Sequence, residues 1–198
     1  RREIATRVGI GGGITAVFAI AIFAVVIRRR QANLKNIQVE GTMWELFKQD
    51  VQRWVIPQQI ADPSQVTLGT MVRLLRNQLP LRAMFWYRLG QYWYQTGSPG
   101  AKGFFYRLIF RRFGLEISPG AEIAGGLYIA HPVGTVISAK RIGRNCSIIS
   151  SVTIGMRNEW AFPRIGDNVF IGAGARVLGD IHIGEGAVIG ANAVGIKD

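Results

Sequence analysis

IGDNVF, IGAGAR, VLGDIH, IGEGAV and IGANAV follow one another without a gap from Ile165 to Val194. Each hexad opens on an aliphatic residue, often followed by Gly. The fifth position is small or apolar: Val169, Ala175, Ile181, Ala187 and Ala193. A helix does not produce this period. It suits a triangular coil in which each hexad forms one side and three hexads form one rung. The aliphatic leaders then stack inward, and Gly and Asn turn the corners where positive φ is needed. Reading backward, the leaders continue as Ile154, Ile148, Ile142, Ile137, Ile129, Ile123 and Ile117. Cys146 falls at a fifth position and is expected to pack inward. Gly195 stands where the next leader is due and the chain ends at Asp198, so the last rung is expected to be unfinished and the natural protein to continue. Two stretches break the period. One is Ala130–Val136 (AHPVGTV). The other is Gly155–Arg164 (GMRNEWAFPR), five residues too long. Loops thrown out of a rigid scaffold are where function is usually carried.

Upstream of the coil the composition changes. The net charge is +12. Residues 1–40 carry 7 basic and 2 acidic residues, residues 41–114 carry 10 and 3, and residues 115–198 carry 7 and 7. The excess therefore lies wholly outside the coil. A single Cys excludes a disulfide framework and multi-Cys metal sites, and with only two His no metal is expected. At 48% hydrophobic residues the chain is not globally disordered. The charge invites a nucleic-acid reading, but no helix-turn-helix, RNA-binding sheet or zinc-finger pattern accompanies it, and no nucleic-acid partner is expected.

Val8–Ile27 (VGIGGGITAVFAIAIFAVVI) holds 20 uncharged residues. At about 1.5 Å per residue this matches one hydrocarbon core. It predicts a transmembrane helix over 8–27 within an anchor-and-linker region, 1–40. No small-x-small cleavage site follows, which argues against a cleaved signal peptide. Arg28, Arg29 and Arg30 put the C-terminal side in the cytoplasm. A single-pass inner-membrane protein is the expectation.

Residues 41–114 read as a basic, aromatic helical segment. Thr42 and Glu45 form a capping box. Further helices are expected over about 67–79, 81–95 and 100–113, with Pro80 ending the second and Gly114 capping the fourth. Fourteen of the 20 aromatics lie here, interleaved with Arg82, Arg88, Arg107, Arg111 and Arg112. They suit either a helical core with a solvated basic face or a face resting on anionic membrane lipid.

FGLEISPGAEI, IAHPVGTVI, SVTIG, PRIGDNVFIGAGARVLGDI and IGEGAVIGANAV, with the helical FWYRLGQYWYQTG, resemble the serine O-acetyltransferase branch of the hexapeptide acyltransferases. Within it the spacing from Ile129 to Ile142 is most similar to exopolysaccharide O-acetyltransferases of the colanic-acid type. The resemblance implies an α+β chain whose residues 115–198 form a left-handed parallel β-helix. It implies a homotrimer that moves acetyl from acetyl-CoA to a hydroxyl. The family's catalytic His falls on His131 and its carboxylate partner on Glu116. A neutral imidazole can take the hydroxyl proton during attack on the thioester, and the carboxylate can orient the ring. Fifteen residues apart, the two are expected on adjacent rungs. The resemblance lays the pantetheine of acetyl-CoA near Gly155, Met156, Ala173, Gly174 and Ala191. Ordinary corner geometry would need the same small residues.

Two departures bear on the acceptor. Where serine acetyltransferases read Asp-His this chain has Ala130-His131, and where they read Arg-His-Pro it has Ala161-Phe162-Pro163. The missing charges are those expected to hold serine, so a neutral glycan hydroxyl is favoured. Trp160 and Phe162 could stack on a sugar ring or anchor a trimer interface. The expectation is a membrane-anchored glycan O-acetyltransferase. The alternatives are a structural subunit of a larger membrane complex, and serine acetylation in cysteine synthesis.

Overall fold

The computed structural model describes residues 41–56 and 58–198. The expected span 8–27 lies outside the described residues. From Leu115 the chain coils into a left-handed parallel β-helix of three sheets. The first sheet stacks β1 (Leu115–Ile117), β4 (Thr135–Ile137), β7 (Thr153–Gly155), β10 (Arg176–Leu178) and β13 (Val194–Gly195). The second stacks β2 (Glu122–Ile123), β5 (Arg141–Ile142), β8 (Arg164–Ile165) and β11 (His182–Ile183). The third stacks β3 (Tyr128–His131), β6 (Ser147–Ser150), β9 (Phe170–Ile171) and β12 (Val188–Ile189).

The register follows the hexads. Ile117, Ile137, Ile154 and Val177 form one inward column, and Ile129, Ile148, Ile171 and Ile189 another. Removing such side chains from water stabilises the coil by roughly 1.5–3 kcal/mol each. Arg176 pairs with Val194, 18 residues on, which is three hexads. Thr153 pairs with Arg176, 23 residues on, and the five extra residues leave as a loop over 156–163. Cys146 is buried as expected. Gly195 occupies the leader position opposite Val177 without a side chain, and Ile183 and Ile189 beside it are only partly covered.

Before the coil come α1 (Met43–Gln52), two short 3-10 turns (Arg53–Val55 and Pro63–Gln65), α2 (Leu68–Asn77), α3 (Leu79–Gln95) and α4 (Ala101–Phe113). The capping box opens α1: the Thr42 N–H donates to Glu45 Oε2 at 2.6 Å, and the Glu45 N–H to Thr42 Oγ1 at 3.3 Å. Gly114, at φ 65°, caps α4 as expected. Pro80 does not end the second helix but sits in the first turn of α3. Proline is tolerated there because the first-turn N–H has no partner within the helix.

The helices grip the first rung through a buried polar network. Arg88 on α3 reaches Asp50 on α1 through Nε at 2.8 Å and NH2 at 2.9 Å, both residues wholly buried. The same guanidinium donates to the carbonyls of Ile123 and Ala124, each at 2.7 Å. Asp50 Oδ1 accepts from the N–H groups of Gly126 and Leu127, each at 2.9 Å. Burial pushes the Asp50 carboxyl up, and Arg88 and the two N–H groups work against that rise.

Of the aromatic rings in this segment, Phe47, Trp54, Tyr87, Phe105 and Phe113 are buried in the core, whereas Trp44, Tyr92, Trp93, Phe104 and Phe110 are exposed. One expectation is corrected here. Among the described residues no helix is long and apolar enough to cross a membrane, and the single-pass inner-membrane location is withdrawn.

Candidate active site

His131 closes β3 at the corner between the third and first sheets. The turn after it is held from three directions. The Thr135 Oγ1 hydroxyl donates to the His131 carbonyl at 3.1 Å, the Thr135 N–H to Pro132 O at 3.1 Å, and the Gly134 N–H to Gly114 O at 3.0 Å. Thr135 is buried, so this short polar anchor is shielded from water. The His131 side chain itself is exposed.

Glu116 lies in the middle of β1 and is half-buried. It stands beside the Tyr106 hydroxyl of α4. Burial and then the nearby Glu116 carboxylate hold that hydroxyl above its ordinary value. Glu116 and His131 are not on adjacent rungs as expected. They belong to the start and end of the same turn of coil, and β4, which follows the His131 corner, pairs with β1 and sets Glu116 opposite Val136. Among the described residues no hydrogen bond joins them.

The expected acetyl-CoA residues divide into two groups. Ala173, Gly174 and Ala191 share the His131 corner. His131 pairs with Ser150, the Gly174 N–H donates to Ser150 O at 2.8 Å, and the Asn192 N–H to Ala173 O at 2.8 Å. Positive φ recurs along this corner at Gly134, Ser151, Gly174 and Asn192. Gly174, at φ 73°, is favoured by the turn itself, although Ser151 and Asn192 take the same conformation on neighbouring rungs. Gly155 and Met156 lie elsewhere, at the far end of β7 where the long loop departs. A Cβ on Gly155 would meet nothing within 4 Å, so the packing of this chain does not require glycine there. In the loop, Trp160 is 81% exposed and meets Phe162 edge-on at 5.5 Å.

A cavity of about 610 Å³ opens at His131. One wall is Ala130, His131, Pro132, Val133, Ser150 and Ser151. The other is Asn77, Gln78, Leu79 and Pro80, from the junction of α2 and α3. No carboxylate, Lys or Arg lines it. The α2–α3 wall is absent from the sequence-derived site, because nothing in the residues around Pro80 signals chemistry. Ser150 and Ser151 carried a signal, as corner residues one rung beyond His131. A larger cavity of about 840 Å³, beside Arg53, Arg141 and Arg144, includes none of the expected site residues. Among the described residues no group of three or more His, Cys, Asp or Glu could hold a metal ion.

Residues 162–194 match the model of the bacterial transferase hexapeptide family (six repeats). The β-helix is a hexapeptide-repeat solenoid. The chain is similar to a serine acetyltransferase of Synechococcus elongatus, 36% identical over 121 residues, which are 59% of this chain and 50% of that protein. Among solved structures it is similar to a Neisseria gonorrhoeae serine acetyltransferase in complex with serine. That match has a TM-score of 0.67 and 28% identity, over 79% of this chain and 63% of the other. A serine acetyltransferase in complex with CoA gives a TM-score of 0.64 and 28% identity, over 77% of this chain and 61% of the other. The chain spans about half the length of the curated relatives it matches.

Proposed function

We propose that the protein is an acetyl-CoA-dependent O-acetyltransferase with His131 as general base. The observation that carries this is the corner column: His131, the paired Ser150 and the small residues Ala173, Gly174 and Ala191 lie along one edge of the solenoid, with a cavity over the imidazole. Acetyl-CoA supplies the activated thioester. The imidazole takes the proton of the acceptor hydroxyl as its oxygen bonds to the acyl carbon, and returns it to the departing thiolate. Such a base typically contributes about 10²–10⁴-fold. Glu116 would orient the ring. Gly155, Met156, Ala173, Gly174 and Ala191 would border the thin pantetheine chain in a homotrimer, Gly155 and Met156 from one copy's loop corner and the others from its neighbour's His131 corner.

The relatives are named serine acetyltransferases, and this supports serine as the first acceptor to test. A second reading, a neutral hydroxyl on a glycan, has its own support. Ala130, Ala161 and Phe162 carry no charge, and no permanently charged side chain lines the His131 cavity. The spacing Ile129 to Ile142 leans the same way, toward the exopolysaccharide branch. Trp160 and Phe162 would then meet the sugar. Purified protein is assayed for CoA release from acetyl-CoA with serine and with neutral sugars. Release that disappears in His131→Ala supports the reading. Undiminished release in that variant refutes His131 as base, and a protein that neither binds nor turns over acetyl-CoA returns the solenoid to a structural role.

A further inference from the structure

We propose that Asn77 and Gln78 recognise the acceptor, so that the helical segment supplies one half of the transferase site. The inference rests on the O-acetyl-transfer reading above. The two residues form the junction of α2 and α3 and face His131, Ser150 and Ser151 across the cavity. Neither side-chain amide is engaged by another described residue. Each amide offers two donors and an acceptor.

The backbone beneath them is fixed. The Gln78 N–H closes α2 on Leu74 O at 2.7 Å, while Gln78 O accepts the Arg82 N–H of α3 at 3.2 Å. Gln78 thus ends one helix and begins the next, and Pro80 restricts the chain just beyond it. Leu79 packs against the solenoid core, and Pro80 is buried. Two unengaged amides on a fixed backbone line the cavity that also holds the imidazole and are available to an acceptor there. An acceptor whose reacting hydroxyl lies at His131 must turn its remaining polar groups toward this wall. The recognition is by uncharged hydrogen bonds, which suits hydroxyl, amide or carboxylate groups next to the acetylated position.

The test uses the full chain with Asn77→Ala, Gln78→Ala and the double substitution. Acetyl-CoA is the donor, L-serine and D-glucose are parallel acceptors, and His131→Ala is the control. The acceptor KM should rise roughly three- to tenfold per amide lost, the worth of one uncharged hydrogen bond. The KM for acetyl-CoA should stay within about twofold, since a contact to the acceptor alone leaves donor binding unchanged. Asn77→Ser keeps a shorter donor and acceptor and should recover part of the loss. An active enzyme whose acceptor KM is unmoved by the double substitution overturns the inference alone. A KM for acetyl-CoA that rises in step also overturns it, assigning these residues to the donor. Wild-type protein that neither binds nor turns over acetyl-CoA, or His131→Ala with full activity, overturns the transferase reading and the inference with it.

Discussion

Replacing Arg88 by Met should destabilise the fold strongly. The guanidinium makes five hydrogen bonds: two to Asp50, at 2.8 and 2.9 Å, one each to the carbonyls of Ile123 and Ala124, at 2.7 Å, and one to Gln91 Oε1 at 3.1 Å. Removing it leaves two carbonyls without that donor and a carboxylate held only by the Gly126 and Leu127 N–H groups. The carboxylate is wholly buried, so water cannot replace the lost partner without opening the helix–solenoid interface. Breaking a buried pair from one side costs about 3–5 kcal/mol. The measurement is urea unfolding followed by circular dichroism at a fixed protein concentration. With a slope of about 1–3 kcal/mol/M, the midpoint should fall by at least 1 M. Adding Asp50→Asn to Arg88→Met removes the stranded charge and should recover part of the loss, giving a double variant more stable than the sum of the single effects allows. A cost below about 1 kcal/mol for Arg88→Met would refute the reasoning, because it would place the pair among solvent-screened surface bridges.

Three further outcomes are expected. Cys146 is buried, and burial pushes its thiol up, so a thiol reagent at neutral pH should label it only after denaturant is added; rapid labelling of native protein would contradict its inward position. The Tyr87 hydroxyl donates to Ala121 O at 3.0 Å in the core, and burial holds it above its ordinary value. Its folded state therefore keeps the proton longer than the unfolded chain does. The stability this gives is full below about pH 10 and is lost as pH rises through the folded value. The urea midpoint should decline above about pH 10 less steeply in Tyr87→Phe than in wild type, and identical slopes would exclude Tyr87 as a source. Gly90 lets α3 approach α4, since a Cβ there would lie 2.7 Å from the Cβ of Phe105. Gly90→Ala should cost roughly 1–3 kcal/mol through overpacking, and a thermal midpoint equal to wild type would show that the helices can separate freely.

The site was legible in the sequence only in part. His131 stood out because it interrupts a strict repeat, and the five-residue excess after Ile154 marked the loop that carries Trp160 and Phe162. The small residues assigned to acetyl-CoA could not be sorted by sequence. Gly174 is favoured by the positive φ of its turn, whereas a Cβ on Gly155 would meet nothing within 4 Å. Only the rung register shows that Ala173, Gly174 and Ala191 stack beyond His131 while Gly155 does not. The charge and aromatic content of residues 41–114 left two readings open: the same rings suit a lipid surface or a core, and periodicity does not choose which rings are buried.

From its residues alone the chain determined its solenoid. In a β-helix each rung contacts only its neighbours, so the fold repeats the local period of the sequence, and six-residue spacing, inward leaders and the displaced loop can all be read along the chain. The capping box of α1 and the Gly114 stop of α4 are local in the same sense. The tertiary structure alone decided how the helices meet the coil. Asp50 reaches the backbone of Gly126, 76 residues away, and Asn77 and Gln78 come to stand over His131. Those contacts depend on burial and packing between distant segments, which no spacing within either segment encodes.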